Sequence, residues 1–216
     1  MALDNKNNIS VGKSHYQDSS FRQLTGRAEY IDDIPLSENT LHGALILSEI
    51  PSGTITSIET EKAKKFDPSI TVITAKDIPG RNDIAPIFAD EPIFAEKEVT
   101  YVGQPIGLIV ASSMERARAA VNEVKIVYKK DKIPILDLDL AFKKKNFFLK
   151  PIHFKRGKAN EQIRQAPHKL EGSFSMGGQD HFYLETHIAL AIPHENSEFT
   201  IWSSTQHPTE VQHGVS

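Results

Sequence analysis

The stretch best suited to chemistry is GGQDHFYLET, where two glycines lead into polar side chains spaced two residues apart. Residues two apart on a β-strand lie about 6.6 Å from each other on one face. A strand over residues 182–192 would therefore create a polar stripe. Such a stripe could bind a metal or exchange protons, but its spacing is too wide for one small ion, which favours a solvated outer face. The stripe residues are His181, Tyr183, Glu185 and His187.

The glycine pair before this stripe, Gly177 and Gly178, is a second candidate. Glycine adopts backbone conformations closed to other residues and lets the main chain approach a ligand closely. The next residue, Gln179, carries an amide that both donates and accepts hydrogen bonds. From the residues alone, the pair predicts either a ligand contact or a plain turn.

Three other polar clusters are assigned structural roles. Asp32 and Asp33 are adjacent, and adjacent side chains on a strand point to opposite faces, so they form no catalytic pair and Asp33 is predicted to cap a turn. VGQPIG, which starts at Val102, lacks the lysine and glycine spacing of a phosphate-binding loop and is also predicted to be a turn. The basic run Lys143–Lys145 is interpreted as a solvated turn.

Composition excludes several classes of protein. The chain has 216 residues, a net charge of −3 and no cysteine. It is long enough for one large domain or two small ones, and its charge does not suit a nucleic-acid binder. Disulfides, thiolate zinc sites and iron–sulfur clusters held by this chain are excluded because all need cysteine. No apolar run reaches the length of a membrane span and no signal peptide is recognised, so a cytoplasmic location is expected.

Hydrophobic periodicity predicts an α/β (α+β) fold in the first part of the chain. Residues 41–47 are apolar on both faces and are predicted to form a well-buried strand. Two β-α-β units are predicted, one over residues 54–74 and one over residues 106–128. The predicted strands are 41–47, 54–58, 70–74, 99–102, 106–111 and 125–128, and the predicted helices are 60–66 and 112–124.

The rest of the chain is less regular. Residues 75–95 contain three prolines and are predicted to form a long loop, which is usually functional or packs against a partner. Residues 131–170 are highly charged and are interpreted as a connecting segment. A strand pair is predicted over 182–192 and 198–204. A helix beginning near residue 205 runs for only about two turns, so we expect the chain to be part of a longer polypeptide.

Several stretches, taken in order, resemble the large subunit of the molybdenum hydroxylases, the family of xanthine dehydrogenases and aldehyde oxidases. The resemblance covers nearly all of residues 11–216 and is nearest to the molybdopterin-binding subunit of the bacterial xanthine dehydrogenase branch. Asp180 is a mild departure, since the family often has glutamate there. The stretches are LTGRAEYIDDIP, LHGALILSEI, DEPIFA, VGQPIG, GGQDHFYLET and STQHPTE.

The resemblance implies a domain order. Residues 1–19 are expected to be a disordered lead-in, and 20–130 an a/b hammerhead-like domain. Residues 131–170 are expected to connect it to the N-terminal part of a molybdopterin-binding domain over 171–216.

The resemblance also implies an oxidoreductase. Family members hydroxylate purines or aldehydes at a molybdenum–molybdopterin cofactor, with water as oxygen source and a glutamate as base. Gln179, Gly178 and Gly177 match the family's cofactor-binding motif, with Gln179 nearest the metal. No catalytic residue is expected in this chain, because the glutamate base would follow Ser216. Iron–sulfur clusters and FAD are expected on partner chains, in a homo- or hetero-oligomer.

Three hypotheses follow. The chain is part of a xanthine dehydrogenase-type enzyme that oxidises hypoxanthine or xanthine and is inactive alone, or part of an aldehyde oxidase or other molybdenum hydroxylase. Alternatively, it is a non-catalytic module that docks subunits. Finally, it is a folded fragment without a role. The substrate is left open.

Overall fold

The computed structural model describes residues 11–85, 87–130 and 133–216. Residues 1–10 of the expected lead-in and residues 131–132 of the connecting segment therefore lie outside the described residues. The chain divides into two compact units. The central unit is Asn39–Asp180, and the terminal unit combines His181–Ser216 with the described part of the first 38 residues.

Up to residue 130 the strands follow the predicted positions closely, except that the strand predicted over 99–102 covers only Glu98–Val99. The strand predicted to begin at residue 182 begins only at Ala189. The strands are β1 (His42–Leu47), β2 (Gly53–Glu59), β3 (Thr71–Thr74), β4 (Glu98–Val99), β5 (Pro105–Ala111), β6 (Lys125–Lys129), β7 (Ala189–Pro193) and β8 (Phe199–Ser203).

The helices include both predicted helices of the central unit and the predicted helix near the end of the chain. The helices are α1 (Ser20–Leu24), α2 (Glu61–Phe66), α3 (Met114–Asn122), α4 (Leu138–Lys143), α5 (Ala159–Gln165) and α6 (Pro208–Val215). Short 3₁₀ turns cover Ile31–Asp33, Ala75–Asp77 and Glu195–Ser197.

The central unit contains two three-stranded sheets, ordered β1-β5-β3 and β4-β2-β6. Every strand pair in them is antiparallel. The prediction of two β-α-β units was therefore wrong. A β-α-β unit needs two parallel strands in one sheet, whereas here α2 and α3 each carry the chain from one sheet to the other.

The core of the central unit is built around β5, the middle strand of its sheet. Ile109 pairs with Ala44 of β1 on one side and with Val72 of β3 on the other. Ile106 and Ile109 are fully buried, and α3 packs over β1 and β5. The buried apolar side chains of this core provide the main hydrophobic stabilisation of the unit.

The strand β1 is buried on one face only, which corrects the prediction of a well-buried strand. Ile46 is buried, whereas Leu45 and Leu47 remain 49% and 43% exposed. Residues two apart on a strand share one face, and the described chain does not fully cover the face that carries Leu45 and Leu47. Apolar residues on both faces therefore do not show that both faces are covered by this chain.

The VGQP stretch is a structural turn, as predicted. Gly103 has a φ of +85°, a conformation that favours glycine, and its N–H donates to the Ser48 carbonyl at 2.7 Å. The buried Gln104 side chain accepts from the Thr100 N–H at 2.7 Å. The side-chain amide of Gln104 thus accepts a hydrogen bond from a backbone N–H in the turn that connects β4 to β5.

Asp67 links α2 to α3. Its side chain is only 4% exposed, its Oδ1 accepts from Ser69 Oγ at 2.6 Å, and its Oδ2 lies 3.1 Å from Arg116 Nε. The hydroxyl and N–H of Ser69, with a smaller contribution from the Arg116 guanidinium, hold the pKa of the Asp67 carboxyl below its usual range.

We expect this carboxyl to make the central unit sensitive to acid. Because its native pKa is lowered, its contribution is complete above the ordinary value of about 3.9 and disappears as pH falls through the native pKa. Asp67→Asn should lower the free energy of unfolding at neutral pH and flatten its dependence on pH below about 4. Urea unfolding at several pH values measures both effects.

The control for this prediction is Asp139→Asn, which changes an exposed carboxylate in the first turn of α4. Equal pH dependence in the Asp67→Asn variant and the wild-type chain would show that Asp67 does not act in this way.

The connecting segment contains the two short helices α4 and α5, which the sequence did not predict. Neither helix has a buried residue. Asp137 caps α4 by accepting from the Leu140 N–H at 2.7 Å. Local capping, rather than burial in a core, accounts for α4.

The terminal unit combines α1, the Ile31–Asp33 turn, the β7–β8 hairpin and α6. The hairpin pairs Ala189 with Ser203 and Pro193 with Phe199. Pro208 occupies the first position of α6, as predicted. Within the described residues, no helix has the length and apolar character that a membrane crossing requires.

Candidate cofactor-binding site

The predicted cofactor-binding residues lie in an open, irregular segment of the chain. Residues 166–188 contain no helix or strand. Gly177, Gly178 and Gln179 are all exposed within it. The segment is therefore accessible to a ligand, and its own backbone is not occupied by sheet pairing.

The glycine pair does not form a tight turn. Among the described glycines, a left-handed φ occurs at residues 12, 26, 103 and 157, so Gly177 and Gly178 are not in that region. A Cβ at either position would meet no described heavy atom within 4 Å. Nothing in the described chain thus requires glycine here, and the assignment of the pair to a ligand contact stays a prediction.

The polar stripe predicted for residues 181–187 does not form. Phe182 has a φ of +49°, which is incompatible with an extended strand. Instead, the rings of Tyr183 and His187 stack with centroids 5.0 Å apart. Among the described residues, no three His, Asp or Glu side chains are grouped so that they could hold a metal ion.

Glu185 has a role that the sequence did not reveal. Its Oε1 accepts a hydrogen bond from the Ile31 N–H at 3.0 Å, within the terminal unit. Ile31 is buried, so this carboxylate satisfies a backbone donor that has little access to water. The partner lies 154 residues away in sequence, and no local pattern could have identified it.

The Ile31–Asp33 turn, which Glu185 contacts, is also stabilised by a hydrogen bond between its own residues and Tyr30. Asp33 Oδ2 accepts from the Tyr30 N–H at 2.9 Å, which confirms that Asp33 caps a turn. The Tyr30 hydroxyl donates to Gln23 Oε1 at 3.0 Å and links the turn to α1. Asp32 and Asp33 lie in a 3₁₀ turn and not in a strand.

A cleft of about 540 Å³ lies beside this turn. Its volume falls within the range of small-molecule sites. The cleft is lined within the terminal unit by residues that include Arg22, Glu29, Tyr30, Glu185 and Trp202.

We expect Glu185→Ala to destabilise the terminal unit by about 1 kcal/mol, because the Ile31 N–H loses its acceptor. Glu185→Gln should have a smaller effect, since its amide oxygen can still accept that hydrogen bond. Trp202 is the only tryptophan and lies in β8, so its fluorescence reports unfolding of this unit. Equal stability of the alanine and glutamine variants would contradict the role assigned to the carboxylate oxygen.

Comparison with known families gives two successive matches. Residues 25–132 match the family described as aldehyde oxidase and xanthine dehydrogenase, a/b hammerhead domain. Residues 141–216 match the molybdopterin cofactor-binding domain. The predicted α/β fold class, a hammerhead domain followed by part of a molybdopterin domain, is confirmed.

Curated relatives extend the similarity over nearly the whole chain. Xanthine dehydrogenase 1 of Arabidopsis thaliana is 41% identical over 218 residues, which cover 98% of this chain and 16% of that protein. Nicotinate hydroxylase hnxS of Emericella nidulans is 38% identical over 208 residues, covering 94% of this chain and 15% of that protein. The chain thus spans only about a sixth of the length of these relatives.

Among solved structures, the quinoline 2-oxidoreductase of Pseudomonas putida 86 has the same fold. The match has a TM-score of 0.75 at 24% sequence identity. It covers 94% of this chain and 28% of the matched chain.

Proposed function

The chain belongs to the aldehyde oxidase and xanthine dehydrogenase family, and we propose that it is part of a molybdenum hydroxylase subunit of the xanthine dehydrogenase type. The enzyme would oxidise hypoxanthine and xanthine with water as the oxygen source. We also propose a cytoplasmic location.

The observation that carries this proposal is the order of the two family matches on one chain. A hammerhead domain precedes a molybdopterin cofactor-binding domain. The 41% identity to a xanthine dehydrogenase spans both matched regions, since it covers 98% of the chain. This similarity supports assignment of the chain to the purine-oxidising branch of the family.

The exposed hydrogen-bonding groups of residues 177–179 are compatible with a molybdenum–molybdopterin cofactor. The amide of Gln179 can donate to or accept from an anionic oxygen, and the neighbouring Gly177 and Gly178 place no side chain in the way. When bound, the cofactor would supply a redox-active metal that activates water. Gln179 would orient oxygen atoms at the metal, and Gly177 and Gly178 would offer backbone N–H groups to the cofactor.

The iron–sulfur clusters of such an enzyme would lie on other polypeptide. Iron–sulfur clusters are held by cysteine thiolates, and this chain has no cysteine. We therefore propose partners that carry iron–sulfur clusters and FAD, within a homo- or hetero-oligomer. The remainder of the molybdopterin domain, including the glutamate base, would also lie outside these residues, so this chain alone is expected to be inactive.

Two measurements on two preparations test the proposal. The purified chain should contain no stoichiometric molybdenum and should not produce urate from xanthine. The complete enzyme, in which this chain is joined to the remaining polypeptide, should contain molybdenum and produce urate. Stoichiometric molybdenum in the chain alone would contradict its dependence on the rest of the domain, and a complete assembly without molybdenum would contradict the hydroxylase assignment.

We expect Gln179→Ala in the complete enzyme to lower turnover by about 10- to 100-fold, which is typical when a group beside a metal site is removed. The melting temperature should not change, because Gln179 is exposed and lies outside helices and strands. Gln165→Ala, at the exposed end of α5, is the matched control. Unchanged turnover in Gln179→Ala would remove the assignment of this residue.

A second substrate class is favoured by one observation. The similarity to a nicotinate hydroxylase is 38%, close to that with the xanthine dehydrogenase. Initial rates of the complete enzyme with xanthine, nicotinate and an aromatic aldehyde would separate these possibilities. A specificity constant for nicotinate above that for xanthine would identify a different branch of the family.

A further inference from the structure

The stretch at the end of α4 concentrates positive charge on a chain whose net charge is −3. We call residues 142–156 the basic segment. It contains six Lys and Arg residues and no Asp or Glu. Because no acidic side chain within the segment neutralises this charge, the segment attracts anionic partners. The cations are Lys143, Lys144, Lys145, Lys150, Lys155 and Arg156.

The basic segment also exposes large apolar side chains between its cations. Phe148, Ile152 and Phe154 are 88%, 90% and 96% exposed, respectively. A lysine in water needs no partner, whereas apolar side chains grouped at a protein surface indicate a contact site. The apolar side chains of the segment are Phe142, Phe147, Phe148, Leu149, Ile152 and Phe154.

The end of α4 fixes the first part of the basic segment. The Asn146 N–H donates to the Ala141 carbonyl at 2.9 Å, and the Lys145 N–H donates to the Phe142 carbonyl at 3.0 Å. This is the Schellman pattern of helix termination, with Lys145 at a φ of +53°. The rings of Phe142 and Phe147 meet edge to face at a centroid distance of 5.9 Å. The turn thus places an aromatic ring that precedes the three lysines beside one that follows them.

Beyond this turn the basic segment has no regular structure. Residues 146–158 contain no helix or strand, and α4 itself has no buried residue. Attraction to the carbonyl end of α4 accounts for cations in its last turn, but the effect does not extend to Lys150, Lys155 or Arg156. The side chains of the segment are therefore available to a partner that presents anionic groups beside an apolar layer.

A bilayer with anionic headgroups combines these two features. Lys and Arg lie beside the headgroups, while Phe and Leu enter the boundary with the acyl chains. Single-stranded nucleic acid is another polyanion that binds aromatic side chains, because its bases stack on them. Leu149 and Ile152 have no ring on which a base could stack, and five of the six cations are lysine, whereas nucleic-acid recognition favours arginine. The composition therefore favours a lipid surface.

We propose that the basic segment binds the surface of membranes that contain anionic phospholipids. The segment would lie on the bilayer and not cross it, because its longest apolar run is only Phe147–Leu149. The rest of the chain is net negative, but its repulsion by the membrane is screened beyond about 10 Å at 0.1 M salt. This inference does not depend on the proposed catalytic function.

Cosedimentation of the purified chain with phospholipid vesicles tests the proposal. The chain should bind vesicles of phosphatidylcholine and phosphatidylserine, mixed at a molar ratio of about 2:1, and should bind pure phosphatidylcholine vesicles much more weakly. Binding should fall as salt rises from about 0.1 to about 0.5 M, because salt screens the attraction. Lys143→Gln, Lys144→Gln and Lys145→Gln together should weaken binding about 100-fold, since each Lys or Arg near an anionic surface contributes about fivefold.

A second charge variant and a matched control complete this arm. Lys150→Gln, Lys155→Gln and Arg156→Gln change only residues outside helices and strands, so this variant retains the test if the first one disturbs α4. The control removes the same charge from three exposed lysines of α2, by Lys62→Gln, Lys64→Gln and Lys65→Gln, and should leave binding unchanged. Circular dichroism verifies that each variant is folded.

The apolar contact is tested separately from the charge. Phe148→Ser combined with Phe154→Ser keeps every cation and should weaken binding at least about tenfold, because two apolar side chains no longer leave water. A single-stranded oligonucleotide, added at a phosphate concentration equal to that of phosphatidylserine, should leave most of the chain on the vesicles. Unchanged binding of the serine variant would contradict contact with the acyl layer, and with it the choice of a membrane over other polyanions.

Four further outcomes would overturn the proposal. The first is a wild-type chain that does not bind phosphatidylserine vesicles, or binds both kinds of vesicle equally. The second is binding that neither charge variant weakens, which would place the contact elsewhere. The third is displacement of the chain by the oligonucleotide, which would identify nucleic acid as the partner. The fourth is binding by the purified chain but not by the complete enzyme, which would show that the remaining polypeptide covers the basic segment.

Discussion

Ile109→Ala is expected to lower the free energy of unfolding of the central unit by about 2–5 kcal/mol, the largest effect of any substitution considered. Ile109 is fully buried in the middle of β5, between β1 and β3. Alanine would remove three carbons from this position and leave a cavity. The neighbouring backbone is hydrogen-bonded on both sides and can collapse into that space only in part.

Urea denaturation followed by circular dichroism measures this loss. Leu45→Ala is the matched control, because it removes an aliphatic side chain from the adjacent strand at a position that is half exposed. The control should cost well under half as much, since less apolar area is removed from contact. A loss below about 1 kcal/mol for Ile109→Ala would contradict the assignment of this residue to the core.

Gly107→Ala is expected to cost about 2–3 kcal/mol through overpacking, although it adds only one methyl group. A Cβ at this position would lie 2.7 Å from the carbonyl oxygen of Ile73 and 3.4 Å from Ile46 Cδ1. The nearest atom belongs to the backbone of β3, which is paired with β5 at this point. Relief therefore requires movement of a strand rather than rotation of a side chain.

Gly43→Ala is a close control for this prediction. Its Cβ would lie 3.0 Å from Leu108 Cδ1, the end of a flexible side chain that can rotate away. Thermal unfolding of both variants should show a clear drop in melting temperature for Gly107→Ala and little change for Gly43→Ala. Equal melting temperatures would show that β3 and β5 tolerate a methyl group between them.

The elements of the central unit could be predicted because they depend on local patterns. The continuous apolar run at 106–111 matches β5, and the apolar face after residue 112 matches α3. Strand pairing could not be predicted in the same way. Residues 54–58 and 70–74 were correctly identified as strands, but they belong to different sheets. Periodicity records which residues alternate and carries no information about the neighbouring strand.

In the candidate site, too, some features could be predicted from the sequence and others could not. Its residues 177–179 were identified by resemblance to a family, and the match to a molybdopterin cofactor-binding domain covers them. The strand predicted to start at residue 182 was wrong because Phe182 adopts a left-handed backbone. Glu185 was assigned to a polar stripe, yet it accepts from a backbone N–H far away in sequence. Long-range contacts of single side chains leave no periodic trace.

The position of β5 in the sequence determines when its sheet can form during protein synthesis. Among the described strands, β1 and β3 pair only with β5, so neither has its strand partner until Ala111 has been translated. At usual rates of synthesis, β1 waits roughly 3–13 s. A stall of translation before residue 105 would thus leave a nascent chain without this sheet.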